Sequence, residues 1–193
     1  MPASTVQPLH AHPSQTWALG ISVWVDVHPS PSSWELTCTV AADHGGDLVL
    51  PAAQPAGPAD GLWQHSCFEA FVSAASSTQA GADSREAYSE FNWSPSGQWA
   101  HYRFASERVR TEPTGVAGTA GHLQFEAHAE HWRWRVLLPV NALPADQGHG
   151  WHLGLSAVLE HRDGRRSHWA LSHPCPQPDF HHPAGRCWRI PNH

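Results

Sequence analysis

Polar side chains that could bind a ligand are concentrated in three neighbouring apolar segments of this sequence. Glu69 lies within one such run, where a carboxylate needs a partner because an unpaired buried charge is costly. Glu90 and Asn92 lie in the next run, and His101 and Arg103 in the one after it. Together these groups supply the planar hydrogen-bond donors and acceptors that recognise hydroxyl groups. We therefore expect a cluster that binds a sugar or similar polyol. The alternative is an internal polar network that only fixes the strand register.

Tryptophan is the second type of side chain that could contribute to ligand binding, and the chain has 11 Trp residues. Large aromatic rings either fill a core or stack on ligands. We expect Trp99 and Trp169 to be stacking platforms, because polar residues surround them, while Trp63 and Trp93 lie next to the same motifs. Trp24 falls on the outward side of its segment. Four Trp residues at alternating positions are expected in the core, namely Trp17, Trp34, Trp132 and Trp134.

Metal-ligating side chains meet near the C-terminus, where Asp179 precedes His181 and His182. Adjacent residues of an extended chain point to opposite sides, which disfavours one ion between both imidazoles, so hydrogen bonding within a loop is the competing interpretation. Haem bound through Met or Lys is excluded, because Met1 is the only Met and Lys is absent. There is no CxxCH attachment motif, and only ligation by two His stays open. We expect no cofactor.

Catalytic motifs are scarce. Glu69 and Glu90 could form the carboxylate pair of a glycosidase, but no other sequence feature supports that chemistry. No GxSxG motif occurs, and the absence of Lys excludes Schiff-base and phosphate-loop lysines. The leading hypothesis is a non-catalytic binding module. A His-based haem or metal redox module and a structural domain with a sealed polar network are the alternatives.

The elements that position these residues are predicted to be β-strands. Apolar residues alternate with polar ones over residues 17–27, including Leu19 and Ile21 on the inward side, and again over residues 34–40. Residues 94–97 (SPSG) separate two aromatic-rich runs, which predicts a hairpin. No helical period extends over a full helix. We expect an all-β fold with about nine to eleven strands and little helix, in a two-sheet antiparallel sandwich.

The length and composition of the chain limit its number of domains and its classes of binding partner. The 193 residues suit one domain, predicted over residues 15–193, with residues 1–14 as a flexible tail. The net charge of −6 argues against a nucleic-acid partner. No apolar run approaches the roughly 18 residues that span a bilayer, and the N-terminus has no signal-peptide pattern. We expect a cytoplasmic protein without a membrane partner, with four reduced cysteines and a small-molecule ligand.

Four segments of the chain form a distinctive set: LWQHSCFEAFV at 62–72, EFNWSPSGQWAHYRF at 90–104, WRWRVLLP at 132–139 and SHWALSHPCPQPDFHH at 167–182. Together they resemble the bacterial DOMON-like proteins. Those proteins are related in fold to family 9 carbohydrate-binding modules and to the haem-binding cytochrome domains of sugar dehydrogenases. The resemblance covers about residues 17–190. It implies a β-sandwich with a ligand site on one sheet face or at one end, and a PDFHH loop packed on the sandwich.

Overall fold

The computed structural model describes residues 6–43, 47–76, 86–112 and 118–192. Within these ranges the chain is all-β, as predicted, and the only helical segments are short 3-10 turns at Leu62–Gln64, Val140–Ala142 and Pro183–Gly185. None of the helical segments in the described part is long or apolar enough to cross a bilayer. The strands are β1 (Gln7–Ala11), β2 (Ile21–Pro29), β3 (Ser33–Ala42), β4 (Gly57–Pro58), β5 (Cys67–Ala74), β6 (Tyr88–Trp93), β7 (Gln98–Ser106), β8 (Val109–Arg110), β9 (His122–Ala127), β10 (His131–Pro139), β11 (Trp151–Glu160), β12 (Arg166–Ala170) and β13 (Trp188–Ile190).

The strands form one continuous, curled sheet rather than two separate ones. Its order is β4-β7-β6-β5-β11-β12-β1-β2-β3-β10-β9, with β8 beside β7 and β13 beside β11. Strand β1 connects the halves, because it pairs with β12 through His10 and Ala11 and with β2 through residues 7–9. All strand pairs are antiparallel except β4 with β7. The predicted two-sheet antiparallel sandwich is therefore not confirmed in that form.

One hydrophobic core is shared by both halves of this sheet. Trp34 on β3 meets Trp151 on β11 edge to face, with ring centroids 5.3 Å apart. The indole Nε1 of Trp134 on β10 donates a 3.1 Å hydrogen bond to the backbone carbonyl of Trp93 on β6. Such bonds satisfy the polar atom of a buried ring and fix how the halves face each other. The expectation of a core position is confirmed for Trp34, Trp132 and Trp134, whereas Trp17 is partly buried and packs against the core.

The predicted boundaries differ from the observed ones in two places. Leu19, expected to point inward, is 81% exposed, because β2 begins only at Ile21. A turn precedes the strand, and Gly20 adopts the left-handed backbone conformation (φ 71°) that suits glycine. In the segment expected to be a flexible tail, residues 7–11 instead form β1. Its short, proline-containing sequence shows little alternation, so pairing with two partners determines the strand.

The four cysteines are free thiols, as expected. Burial without a polar partner raises the pKa of the Cys38 thiol far above its ordinary value. Cys67, on the same side of β5 as Glu69, is as fully buried as Cys38. Neither thiol is therefore a nucleophile at neutral pH, because only the thiolate reacts.

Candidate functional site

The outward face of β5, β6 and β7 carries the candidate site. Side chains alternate between the two sides of a strand, and directly paired residues share a side. Glu69 pairs with Asn92, Phe71 pairs with Glu90, and both pairs therefore project from the same face. The other face of these strands packs into the shared core. The sheet thus presents two acidic side chains on the surface that faces away from the core.

A cavity of about 370 Å³ opens on this face. Its volume is within the range of roughly 300–1,000 Å³ that is typical of small-molecule sites. The walls come from the sheet, from the turn after β4, from the β7–β8 hairpin and from the loop between β12 and β13. The lining side chains are those of Trp63, Glu69, Phe71, Glu90, Phe104, Arg108, Arg110, Val158, His168, Pro178, Phe180 and His181.

Two carboxyl groups form the floor of this cavity. Glu69 is 2% exposed and Glu90 is 3% exposed. The Ser156 hydroxyl donates a 3.0 Å hydrogen bond to Oε2 of Glu69, and the Asn92 amide donates one of 2.7 Å to Oε1 of Glu90. Within the described residues, Oε1 of Glu69 has no hydrogen-bond partner. An unused acceptor at the base of a cavity is available to a ligand.

Burial raises the pKa of both carboxyl groups, because a low-dielectric site disfavours the charged form. The charge of Glu90 raises the pKa of Glu69 further, whereas the Ser156 hydrogen bond partly opposes the rise. The amide of Asn92 and the positive charge of Arg110 oppose the rise for Glu90. Both groups therefore keep their protons to a higher pH than an exposed glutamate does.

The loop between β12 and β13 closes one side of the cavity, and His181 fixes it to the sheet. The Tyr88 hydroxyl lies 2.7 Å from Nδ1 of His181 and accepts a hydrogen bond from the backbone N–H of Arg108. Burial, together with the charge of Arg108, lowers the pKa of His181 to about 4, so the ring is neutral at pH 7. We assign the hydroxyl proton to the Nδ1 contact, which leaves the N–H on Nε2. That atom lies 3.8 Å from Oε2 of Glu90, too far for a hydrogen bond.

The two arginines of the cavity bind other acidic groups. Arg108 makes a 2.8 Å ion pair with Asp179. The guanidinium of Arg110 lies 3.9 Å above the Tyr102 ring, and its Nη1 is 3.8 Å from Asp60. These contacts place both positive charges at the rim rather than on the floor.

Arg186 supports the loop from behind. This buried side chain donates hydrogen bonds to the Ser73 hydroxyl at 3.2 Å and to the backbone carbonyl of His181 at 3.4 Å. Its guanidinium also lies 4.6 Å from the Tyr88 ring centroid and 3.5 Å from a Glu86 oxygen. One side chain therefore connects the loop to β5 and β6.

The predicted ligand-binding residues divide between the two faces. Glu69, Glu90 and Asn92 lie together on the outward face, two at the floor of the cavity and Asn92 behind Glu90. The other four are not brought into the cavity: Trp99, His101 and Trp169 lie on the core side, and Arg103 shares that side of β7 but is exposed.

The core-side residues have structural surroundings instead. Trp169 is buried, and its indole donates a 2.9 Å hydrogen bond to the Ser167 hydroxyl. His101 is buried against the Phe91 ring, with ring centroids 4.3 Å apart, and its Nε2 is 3.3 Å from the Ser89 hydroxyl. Burial lowers the pKa of His101 to about 4, which keeps it neutral at pH 7.

The register of the β6–β7 hairpin explains this division. A connection of only the four predicted turn residues, 94–97, would pair Glu90 with His101 and place both on one face. The observed partner of Trp93 is Trp99 rather than Gln98, so the pairing is shifted by one residue and Glu90 pairs with Tyr102. A shift of one residue moves every side chain of a strand to the opposite face.

The two predicted platforms are not among the rings that line the cavity, although Trp63, which lies next to the polar motifs in the sequence, is. Trp63 is 44% exposed at the cavity, whereas the two Trp residues predicted as platforms are not. Phe104 stacks on Tyr88 with centroids 4.6 Å apart, and Phe71 meets His181 edge to face at 5.3 Å. The signal for Phe71 was its two-residue separation from Glu69, which puts both on one face. Trp63 lies in a turn, where periodicity gives no direction.

The three metal candidates each have another partner. Asp179 pairs with Arg108 and accepts a hydrogen bond from the backbone N–H of His181. Nδ1 of His182 accepts a 3.2 Å hydrogen bond from the backbone N–H of Ala184. No group of three or more His, Cys, Asp or Glu side chains suited to one ion occurs among the residues that the structure describes. The arrangement fits the loop-anchoring interpretation, and the PDFHH segment packs on the sheet, with Phe180 against Phe71 at 6.4 Å.

Several solved structures are similar to this chain in fold. No protein-family model and no curated protein sequence matches it. A protein from Bacteroides uniformis with a provisional carbohydrate-binding assignment superposes with a TM-score of 0.64 at 16% identity, over 94% of this chain and 83% of that one. A family 9 carbohydrate-binding module from Caldicellulosiruptor kristjanssonii in complex with glucose gives 0.52 at 10% identity, over 92% and 80%. The same kind of module in complex with cellotriose gives 0.50 at 12% identity, over 87% and 72%.

What they share is the fold. Identities this low establish similarity of architecture to the family 9 modules and leave the ligand to be argued from the site itself.

Proposed function

We propose that this chain is a non-catalytic module that binds a sugar in the cavity above Glu69 and Glu90. The observation that carries the proposal is the combination, in one cavity, of two hydrogen-bonding carboxyl groups on the floor and an exposed Trp63 ring at the side. Sugars present hydroxyl groups around the ring and apolar C–H groups on its faces. A site for them needs fixed polar acceptors beside an aromatic surface.

The carboxyl groups would accept hydrogen bonds from the hydroxyl groups of the ligand. Oε1 of Glu69 is the acceptor without a partner among the described residues, and Oε2 of Glu90 has only the distant His181 ring nearby. Both groups are held in place by hydrogen bonds from their neighbours on the sheet, so little side-chain entropy is lost on binding. The binding groups are therefore arranged before the ligand arrives.

The similar structures support a saccharide as the ligand, since two of them are complexes with glucose and cellotriose. The assignment to the DOMON-like proteins and the cytoplasmic location belong to this proposal as well. So do the role of the chain as one domain and its lack of nucleic-acid and membrane partners. The cavity volume of about 370 Å³ suits one or two sugar rings rather than a long polymer.

Isothermal titration calorimetry with a panel of monosaccharides and disaccharides tests the proposal. Saturable binding by at least one sugar, weakened at least about tenfold by Glu90→Gln, is the expected result. The matched control is Glu35→Gln, because Glu35 is an exposed glutamate on β3, away from the cavity. No binding by any sugar, with the protein shown to be folded, would overturn the proposal and favour a structural polar network.

A further inference from the structure

Among the residues that the structure describes, no cation is in direct contact with the two acidic groups on the floor of the cavity. Glu69 has the Ser156 hydroxyl as its hydrogen-bond partner, and Glu90 has the Asn92 amide. The nearest ring nitrogen, Nε2 of His181, is 3.8 Å from Glu90 and belongs to a neutral imidazole at pH 7. Buried carboxylates are ordinarily paired with a positive group. No described residue supplies that positive group to Glu69 or Glu90 at hydrogen-bond distance.

The positive charges near the floor are already balanced. Arg108 pairs with Asp179, and Arg110 is near Asp60. These contacts offset two positive charges with two negative ones, so the carboxyl groups of the floor leave the cavity acidic when they ionise. The charge therefore favours a cationic ligand over a neutral or anionic one.

The walls also suit a cation. Trp63, Phe71, Phe104 and Phe180 surround the space above the two carboxyl groups. Aromatic faces attract ammonium groups, most strongly where water is displaced. A carboxylate floor beneath aromatic walls can hold an ammonium group by ionic hydrogen bonds and by contact with the ring faces.

We propose that the cavity prefers an amino sugar, with its protonated amine at Glu69 and Glu90 and its ring beside Trp63. This inference rests on the proposed function, because it names the class of sugar for the same site. Oε1 of Glu69, which has no partner among the described residues, and Oε2 of Glu90 would accept hydrogen bonds from two of the three ammonium N–H groups. Acetylation of the amine removes its charge, so an N-acetyl sugar would lose the preference.

Calorimetry with matched sugars tests the inference: glucosamine against glucose, galactosamine against galactose and mannosamine against mannose, each with its N-acetyl form. At neutral pH, at least one amino sugar is expected to bind at least about tenfold more tightly than both of its neutral counterparts. Glu69→Gln and Glu90→Gln each keep the side-chain shape and remove one charge. Each is expected to reduce that preference to less than about threefold.

The outcomes separate this inference from the proposed function. Equal or tighter binding of the neutral sugar in every pair would overturn the amino-sugar preference and leave sugar binding intact. A preference that persists undiminished in both variants would also overturn it, because the charge of the floor would not be its cause. An absence of binding by every sugar would overturn both proposals. Circular dichroism of each variant shows whether it is folded.

Discussion

The hydroxyl of Tyr88 and Nδ1 of His181 lie 2.7 Å apart, and this contact joins the outward face of β6 to the loop that closes the cavity. The loop therefore has a defined position although it contains no regular strand. His181 is also in edge-to-face contact with Phe71 and Phe104, at 5.3 and 5.2 Å. A hydrogen bond and ring packing together hold the wall against which a ligand would lie.

Trp63 is predicted to contribute directly to binding. Trp63→Ala should weaken sugar affinity at least about tenfold, because a stacked ring face is lost, and should change stability by less than about 1 kcal/mol. Calorimetry and urea denaturation measure the two effects. Trp24→Ala is the matched control, since Trp24 is 39% exposed on the other half of the sheet. A similar loss of affinity in both variants would contradict the assignment of the ring.

The carboxyl groups should make the ligand-free protein less stable as the pH rises. Their pKa values are raised in the folded state, so the folded chain holds protons that the unfolded chain releases. The free energy of unfolding should therefore decrease upward from pH 4.5, the ordinary pKa of a glutamate, through neutrality. Each pKa unit corresponds to about 1.4 kcal/mol. Denaturation at a series of pH values measures the slope.

Glu69→Gln is expected to flatten this dependence and to raise stability above neutral pH relative to the natural chain. The amide has the same shape but never carries the charge that burial and Glu90 disfavour. Glu35→Gln, an exposed control, should leave the slope unchanged. A slope that Glu69→Gln does not alter would show that other groups govern it.

Arg186 is predicted to act through the loop. Arg186→Gln should lower stability by about 2–3 kcal/mol, because hydrogen bonds from a buried charged group are lost. It should also lower the sugar affinity of the molecules that are folded, because the backbone carbonyl of His181 loses its hydrogen-bond donor and the loop is less well held. The matched control is the exposed Arg189, where Arg189→Gln should alter neither quantity appreciably. Urea denaturation and calorimetry at a temperature where both variants are folded provide the comparison.

Trp169 should matter for stability and not for the ligand. Trp169→Ala is expected to cost about 3–5 kcal/mol, as large-to-small changes in a core do. Trp169→Phe keeps most of the apolar volume and should cost less. Affinity per folded molecule should be unchanged in Trp169→Phe, because the ring lies on the core side of β12. A loss of affinity in folded Trp169→Phe would show instead that Trp169 contributes to ligand binding.

The sequence was sufficient to predict the longer strands and the two carboxyl groups of the cavity floor, and the physical reason is alternation. A carboxylate at position 69 among apolar neighbours, with Phe71 two residues later, identifies one face of a strand whatever its partner is. Glu90 and Asn92 share a face for the same reason. These relations are local, and the structure preserves them.

The relation between strands was not local and could not be predicted in the same way. Whether Glu90 meets His101 or Tyr102 depends on a shift of one residue in the pairing of β6 with β7. Backbone hydrogen bonds decide that point, including the 2.9 Å bond from the Ser94 N–H to the Gln98 carbonyl. Trp63 likewise reaches the cavity through the tertiary position of its turn.

Strand β1 has a consequence for association between molecules. Its five residues pair with β12 at one end and with β2 at the other, so they cover backbone groups on two strands at once. Without β1, both strands would present unpaired backbone N–H and C=O groups along an open sheet edge, to which a strand from another copy of the chain can pair. By covering these groups, β1 prevents edge-to-edge pairing between copies of the chain.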